Sequence, residues 1–153
     1  MRIEWLFPLL VLVAGCECLT SPRTDNTPPE ASITVEYREP GGQRVSRTLT
    51  VGSSDSTVVA DAADVISVTY AGGDPEGLRR VDLDYEMTDT TGKAAPRPAP
   101  EELFVEFDCA HATITGTRKI GPGAPGRTYA LAATARNWVG LAARSGKVIV
   151  QTR

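Results

Sequence analysis

Through the middle of the chain, apolar and polar residues alternate one for one. Val81, Leu83, Tyr85 and Met87 interleave with Asp82, Asp84 and Glu86. A helix would scatter these four apolar residues around its circumference, whereas a strand sets all of them on one face. The same period recurs in Ile33, Val35 and Tyr37, in Ile66, Val68 and Tyr70, in Leu103, Val105, Phe107 and Cys109, and in Tyr129, Leu131, Ala133 and Ala135. Val45, Leu49 and Val51 share a face that Arg47 interrupts, the pattern of an edge strand. Thr57 to Ala60 and Thr113 to Thr115 are shorter candidates, and Val148 with Val150 closes the series.

Turn residues separate these runs. Pro40-Gly41-Gly42, the cluster Gly72 to Gly77, the Pro/Ala loop from Gly92 to Pro100 and the cluster Gly121 to Gly126 each break the alternation. No segment carries a convincing helical period. About seven to nine short strands with Gly/Pro turns predict an all-β domain over 32–153. Its connections are too short for crossover helices, so the expected pairing is antiparallel. A β-sandwich is preferred because two half-apolar sheets can bury each other's faces.

The C-terminal part resembles the last two strands of a fibronectin type III or bacterial immunoglobulin-like domain. The resemblance is carried by the run Arg127 to Asn137, by Trp138-Val139-Gly140 and by Lys147 to Thr152. Tyr129 matches the tyrosine corner of that family, which implies a hydroxyl bonded back to the chain. Asn137 and Gly140 fall where the family turns into its last hairpin. Ile66 to Tyr70 resembles the second strand, and Asp74-Pro75-Glu76-Gly77 the turn that follows it. The resemblance implies an immunoglobulin-like antiparallel β-sandwich. The Pro-rich loop and the segment Gln43 to Ala60 depart from the compact form.

Ahead of the domain the chain changes character. Trp5 to Ala14 is an apolar run broken by Pro8, behind the weakly positive start Met1-Arg2-Ile3-Glu4. As a helix it would reach about 15 Å, half of a bilayer core, which suits a signal peptide better than a span. The run leads directly to Val13-Ala14-Gly15-Cys16, which resembles the lipobox of bacterial lipoproteins. That implies cleavage after residue 15 and a mature chain starting at an acylated Cys16, palmitate being one of the fatty acids such anchors carry. Val13 stands where the family more often has Leu. Glu17 replaces the Asp that favours inner-membrane retention in enterobacterial lipoproteins, which points to the outer membrane if the cell has two. Residues 16–31 then hold Ser21, Pro22, Thr24, Asp25, Asn26, Thr27, Pro28 and Pro29, an extended, solvated tether.

Export bears on the cysteines. With Cys16 acylated, Cys18 and Cys109 remain, and an extracytoplasmic space permits their oxidation. A Cys18–Cys109 bridge and a buried free thiol at Cys109 are the two alternatives. Two thiols and His111 lack the paired spacing of a structural zinc site, so no metal is expected.

The remaining composition supplies little chemistry. Hydrophobic residues make up 41% of the chain, enough for a core, and the net charge of −3 gives no pull toward nucleic acid or anionic lipid. Asp108, Cys109 and His111 do not make a catalytic set, since no strained nucleophile turn surrounds them. Asp82, Asp84 and Glu86, with Asp61, Asp64, Asp74, Glu76 or Asp89 on loops, are oxygen ligands without a calcium-loop motif. Gly121 to Gly126 lacks the Lys and Ser/Thr of a phosphate loop. Arg118, Lys119, Arg127, Arg136 and Arg144 spread positive charge over different strands. Trp138, at an expected loop tip, is the candidate partner contact, with a lid over the core end as its alternative.

The expected function is that of a non-enzymatic, lipid-anchored extracytoplasmic module without a cofactor, meeting an envelope protein or cell-wall component. The alternatives are a small carbohydrate- or ligand-binding sandwich and, less favoured, an accessory hydrolase.

Overall fold

The computed structural model describes residues 26–94 and 103–153, and every regular element among them is a strand. In chain order these are β1 (Glu30–Arg38), β2 (Arg44–Thr50), β3 (Ser56–Ala60), β4 (Ile66–Thr88), β5 (Phe104–Ile120), β6 (Thr128–Asn137), β7 (Ala142–Arg144) and β8 (Val148–Thr152). They form one curled mixed sheet with the order β2-β1-β4-β6-β8-β3; β5 adds to β4 and β7 to β6. The all-β expectation holds.

Two expectations change. The pairing is not purely antiparallel, because β3 runs parallel to β8, Ser56 opposite Val148 through Ala60 opposite Thr152. No short connection is needed, since most of the chain lies between the two strands and serves as the crossover. The strands are also not uniformly short. The Gly72–Gly77 cluster was expected to end a strand, yet β4 passes straight through it for 23 residues. Likewise the runs around Val105 and Thr113 join into a 17-residue β5. The domain also starts slightly before residue 32, since Glu30 already pairs with Gly73 and Ala31 is buried.

Continuity is possible because the two long strands bulge against each other. Thr113 pairs with Gly73 and His111 with Leu78, so β4 spends extra residues at 74–77; Glu106 then pairs with Arg80, so β5 spends extra residues at 107–110. Each bulge flips side-chain parity. In β4 the buried positions are even before the bulge (Ile66, Val68, Tyr70) and odd after it (Val81, Leu83, Tyr85). The first half of β4 pairs with β1 and the C-terminal half of β5, while its second half pairs with β6 and the N-terminal half of β5. The hairpin β4–β5 thus runs through two regions of the sheet and turns its apolar face toward the core in both.

One cluster of buried residues fills the space between these regions. Ile33 and Val35 of β1, Val68 and Tyr70 of β4, Ile114 of β5, Leu131 and Ala135 of β6 and Val148 and Val150 of β8 all belong to it. The closest approach is at Gly72, where a Cβ would lie 2.7 Å from the Ala135 Cβ of a strand it does not pair with there. Glycine is required by this contact, not by backbone conformation. Gly116 serves Tyr70 in the same way, since a side chain there would enter the tyrosine ring. The curl is fastened at one end by a bridge from Val51 to Ser145 and by the Gly146 N–H donating to the Thr50 carbonyl at 3.0 Å.

Filling the Gly72 contact should be costly. Gly72→Val is expected to lower stability by about 2 kcal/mol, the usual cost of overpacking a closed core. Urea unfolding followed by far-ultraviolet circular dichroism measures this, and an unchanged midpoint would refute the close approach. A second outcome concerns pH. Burial raises the Tyr70 and Tyr85 hydroxyls above the ordinary value of 10.0, with Asp82 adding for the first and Tyr129 for the second. A raised folded value means that their stabilisation is complete below about pH 10 and is lost as pH rises through the folded values. Phenolate absorbance should therefore rise together with loss of the fold rather than ahead of it.

Candidate functional site

The bulged middle of β4–β5 gathers most of the residues with chemistry to offer. Asp74 opens the β4 bulge, and its Oδ1 accepts the Glu76 N–H at 2.9 Å, a local turn that Pro75 and Gly77 complete. Gly77 takes φ 112°, a conformation that a side chain would resist. The other carboxylate oxygen, Oδ2, accepts the Asn137 side-chain amide at 3.2 Å. Asn137 in turn fixes the last hairpin: its Oδ1 accepts the Leu141 N–H at 2.8 Å, and its own N–H donates to the Leu141 carbonyl at 3.0 Å. Both side chains are buried. The two segments singled out by resemblance, Asp74–Gly77 and Asn137–Gly140, are therefore locked to each other.

Trp138 lies beside this lock. Its ring is half-buried, its indole N–H donates to the Leu78 carbonyl at 3.0 Å, and the Arg79 guanidinium covers the ring at 5.4 Å. The ring is thus engaged from within the domain, by Leu78 and Arg79. The neighbouring Val139, not Trp138, is the exposed apolar residue of the loop.

On the β5 side, the bulge turns Phe107 outward. The alternation Leu103, Val105, Phe107, Cys109 predicts four inward residues; Leu103 and Val105 pack on the core, but Phe107 is 39% exposed. Its ring lies against the His111 imidazole, centroids 4.2 Å apart. Cys109 is half-buried and is one half of a disulfide, with its Sγ 3.5 Å from His111 Nε2. With its sulfur in a disulfide, Cys109 offers no thiolate nucleophile. Cys16, Cys18 and the whole signal segment lie outside the described residues.

The outward face of the second β4 half is a ladder of ion pairs. Asp82 accepts from Arg80 Nε at 2.6 Å and from Arg136 Nε at 3.3 Å. Asp84 Oδ2 accepts from Thr134 Oγ1 at 2.9 Å and Arg144 Nε at 2.7 Å. Glu106 takes Arg79 at 2.8 Å and Arg80 at 3.6 Å, and Arg80 also stacks on Phe104. The acidic strand face and two of the scattered C-terminal arginines are thus one neutralised surface, legible only once β4 and β6 are in register. Among the described residues no three His, Cys, Asp or Glu side chains converge on a metal position. Asp64 is held below its ordinary value by the Val65 N–H and by Arg38, and Asp89 by Thr91 and Lys93, both as turn-closing groups.

Tyr129 is buried at the start of β6 and lies tilted against Tyr85, 6.1 Å between centroids. Its hydroxyl sits over Gly123, 2.9 Å from where a Cβ would be, so the Gly121–Gly126 cluster wraps this ring. The cluster is tied down by the Gly123 N–H to the Ala62 carbonyl and the Gly126 N–H to the Thr152 carbonyl, at 2.9 and 2.7 Å. A shallow depression of about 650 Å³ lies where the chain enters the domain, lined by Pro28, Pro29, Gly73, Asp74, Pro75 and Thr113.

Compared with protein-family models, with curated proteins and with solved structures, the chain matches none.

The Asp74–Asn137 lock makes two expectations. Asp74→Ala strands the Asn137 amide and the Glu76 N–H, for a loss of about 2 kcal/mol by urea unfolding. Asn137→Asp sets two buried carboxylates together, so one must gain a proton at a value raised above its unfolded one. The variant should be destabilised at neutral pH and recover as pH falls toward about 4, the unfolded carboxylate value. A pH-independent loss would contradict the pairing.

Proposed function

We propose that this chain is an exported lipoprotein, held on the extracytoplasmic side by acylated Cys16, whose β-domain is an immunoglobulin-like sandwich acting as a non-enzymatic interaction or structural module. The observation that carries this reading is Val13-Ala14-Gly15-Cys16 directly behind the apolar run Trp5–Ala14. Two or three acyl chains hold such a chain firmly, because each buried methylene adds about 0.8 kcal/mol. Glu17 favours the outer membrane where there are two.

The strand order supports the sandwich. β1, the first half of β4 and the second half of β5 follow the order A-B-E of the family, while the second half of β4, β6 and β8 follow C-F-G. The Tyr85–Tyr129 contact and the lock between Asp74 and Asn137 suit a rigid scaffold with its polar groups satisfied internally. In such a module, function is positional: lipid sets the location, and the loops and strand edges meet an envelope protein or cell-wall component. A carbohydrate-binding reading needs an open aromatic platform, and the Trp138 ring is covered by Arg79.

Metabolic labelling with an alkyne fatty acid, followed by membrane fractionation, tests the anchor. The full-length chain should take up label and sediment with membranes, while Cys16→Ala should lose the label and leave the membrane fraction. An unlabelled full-length chain would end the lipoprotein reading.

A further inference from the structure

We propose that the outer edge of β5, over residues 113–119, pairs antiparallel with the same edge of a second copy of this chain. Glu30 of each copy closes the joint with an ion pair to Lys119 of the other. The edge is open because of how backbone groups alternate across the sheet. The Val51 N–H donates to the Ala31 carbonyl at 3.2 Å, so Ala31 and the odd residues of β1 bond toward β2. Alternation then turns Ser32 toward Ala71 of β4, and Tyr70 and Gly72 toward Gly116 and Ile114 of β5. The N–H and C=O groups of Thr113, Thr115, Thr117 and Lys119 therefore point away from the sheet. Among the described residues no strand receives them.

This edge differs from the other edges of the domain. β3 and β7 have only five and three residues, and β2 carries Arg44 and Arg47. The first half of β5 is bulged and holds Glu106 and Asp108. Shortness, charges and bulges are what keep sheet edges from joining one another. From Thr113 to Thr117, β5 has no charge, proline or bulge, and Thr113, Thr115 and Thr117 are exposed.

The sequence of the edge suits pairing with itself. A two-fold axis at Gly116 sets Thr115 opposite Thr117 of the second copy, and Thr113 opposite its Lys119. These are the positions whose backbone groups face the joint. At the axis itself the two strands meet glycine to glycine, which leaves the close, non-bonded position free of side chains. Thr115 and Thr117 form cross-strand threonine pairs, which add to the stability of neighbouring strands. Because the contact is isologous it closes on itself, and two copies join rather than a chain of them.

The charges fit the same register. Glu30, Gly73 and Thr113 stand side by side on three neighbouring strands, on the outward face. Gly73 has no side chain, and the Glu30 Oε2 lies over it, 3.8 Å from where a Cβ would be. From Gly73 the Lys119 backbone of the second copy is two strand spacings away, about 10 Å, most of which an extended lysine stem covers. Pro28 and Pro29 border the same residues and offer that stem an apolar seat. Glu30 and Lys119 are both exposed, and among the described residues neither makes an ion pair.

Sedimentation velocity of the full-length protein in a mild detergent, over a series of concentrations, reads the association. The expected species is a reversible dimer. Thr115→Pro removes an N–H that bonds nothing within its own copy, so it should abolish the dimer while leaving the circular dichroism spectrum unchanged. Thr115→Lys sets like charges on either side of the axis and should raise the dissociation constant about tenfold or more. Lys119→Glu should also weaken the dimer, and Glu30→Lys combined with Lys119→Glu should restore it. A monomer at every concentration would overturn the proposal, and so would a dimer that survives both Thr115 substitutions. A double charge exchange that fails to restore the dimer would overturn the register and the part given to Glu30.

Discussion

The architecture depends on one strand being allowed to change faces without ending. β4 must present an apolar surface to the core in both regions of the curled sheet, and a period of two cannot do so across a bend. Compensating bulges at 74–77 and 107–110 reset the parity of both strands of the hairpin together. A bulge exposes backbone groups to an interior that cannot hydrate them, so its polar atoms must be satisfied locally. Asp74 performs this task, with one oxygen for its own turn and the other for Asn137. Through Asn137 the same carboxylate fixes the β6–β7 hairpin, far away in sequence.

Around this lock, the charged residues act on alignment more than on strength. Exposed ion pairs contribute between about 0 and 1 kcal/mol each. The Arg80–Asp82–Arg136 and Arg144–Asp84–Thr134 sets, however, are satisfied in one register of β4 against β6 only. A slip by one residue would bury Asp82 and Asp84 and expose Val81 and Leu83. The ladder and the core therefore select the same alignment, while Arg79 stacks on the Trp138 ring beside them.

Much of the strand content could be read directly from alternation. Ile33–Tyr37, Val81–Met87 and Tyr129–Ala135 are strands whose inward residues are those the period names, because each lies within one region of the sheet. The reading failed where local and global signals diverge. Gly72-Gly73-Asp74-Pro75-Glu76-Gly77 has the composition of a turn, and the same residues serve equally in a bulge that lets the strand continue. Phe107 follows the inward parity of Val105, but the bulge reverses it. The parallel β3–β8 pair joins residues about ninety apart and leaves no local mark in either segment. At the candidate site, the sequence identified Cys109, His111 and Trp138 as residues of interest. It could not show that Arg79 and Leu78 engage Trp138, since those contacts cross from one strand to another.

The parallel pairing of β3 with β8 also governs the order of assembly. Val148 to Thr152 are among the last residues of this sequence to be made, yet they complete the backbone bonding of β3 near its beginning and fill the core with Val148 and Val150. Such long-range closure is entropically late, because nearly the whole intervening chain must be ordered before the contact is rewarded. Until β8 is in place, β3 has no strand to pair with and the core lacks Val148 and Val150. The domain therefore closes as a whole or not at all, its two ends being parts of one cooperative event.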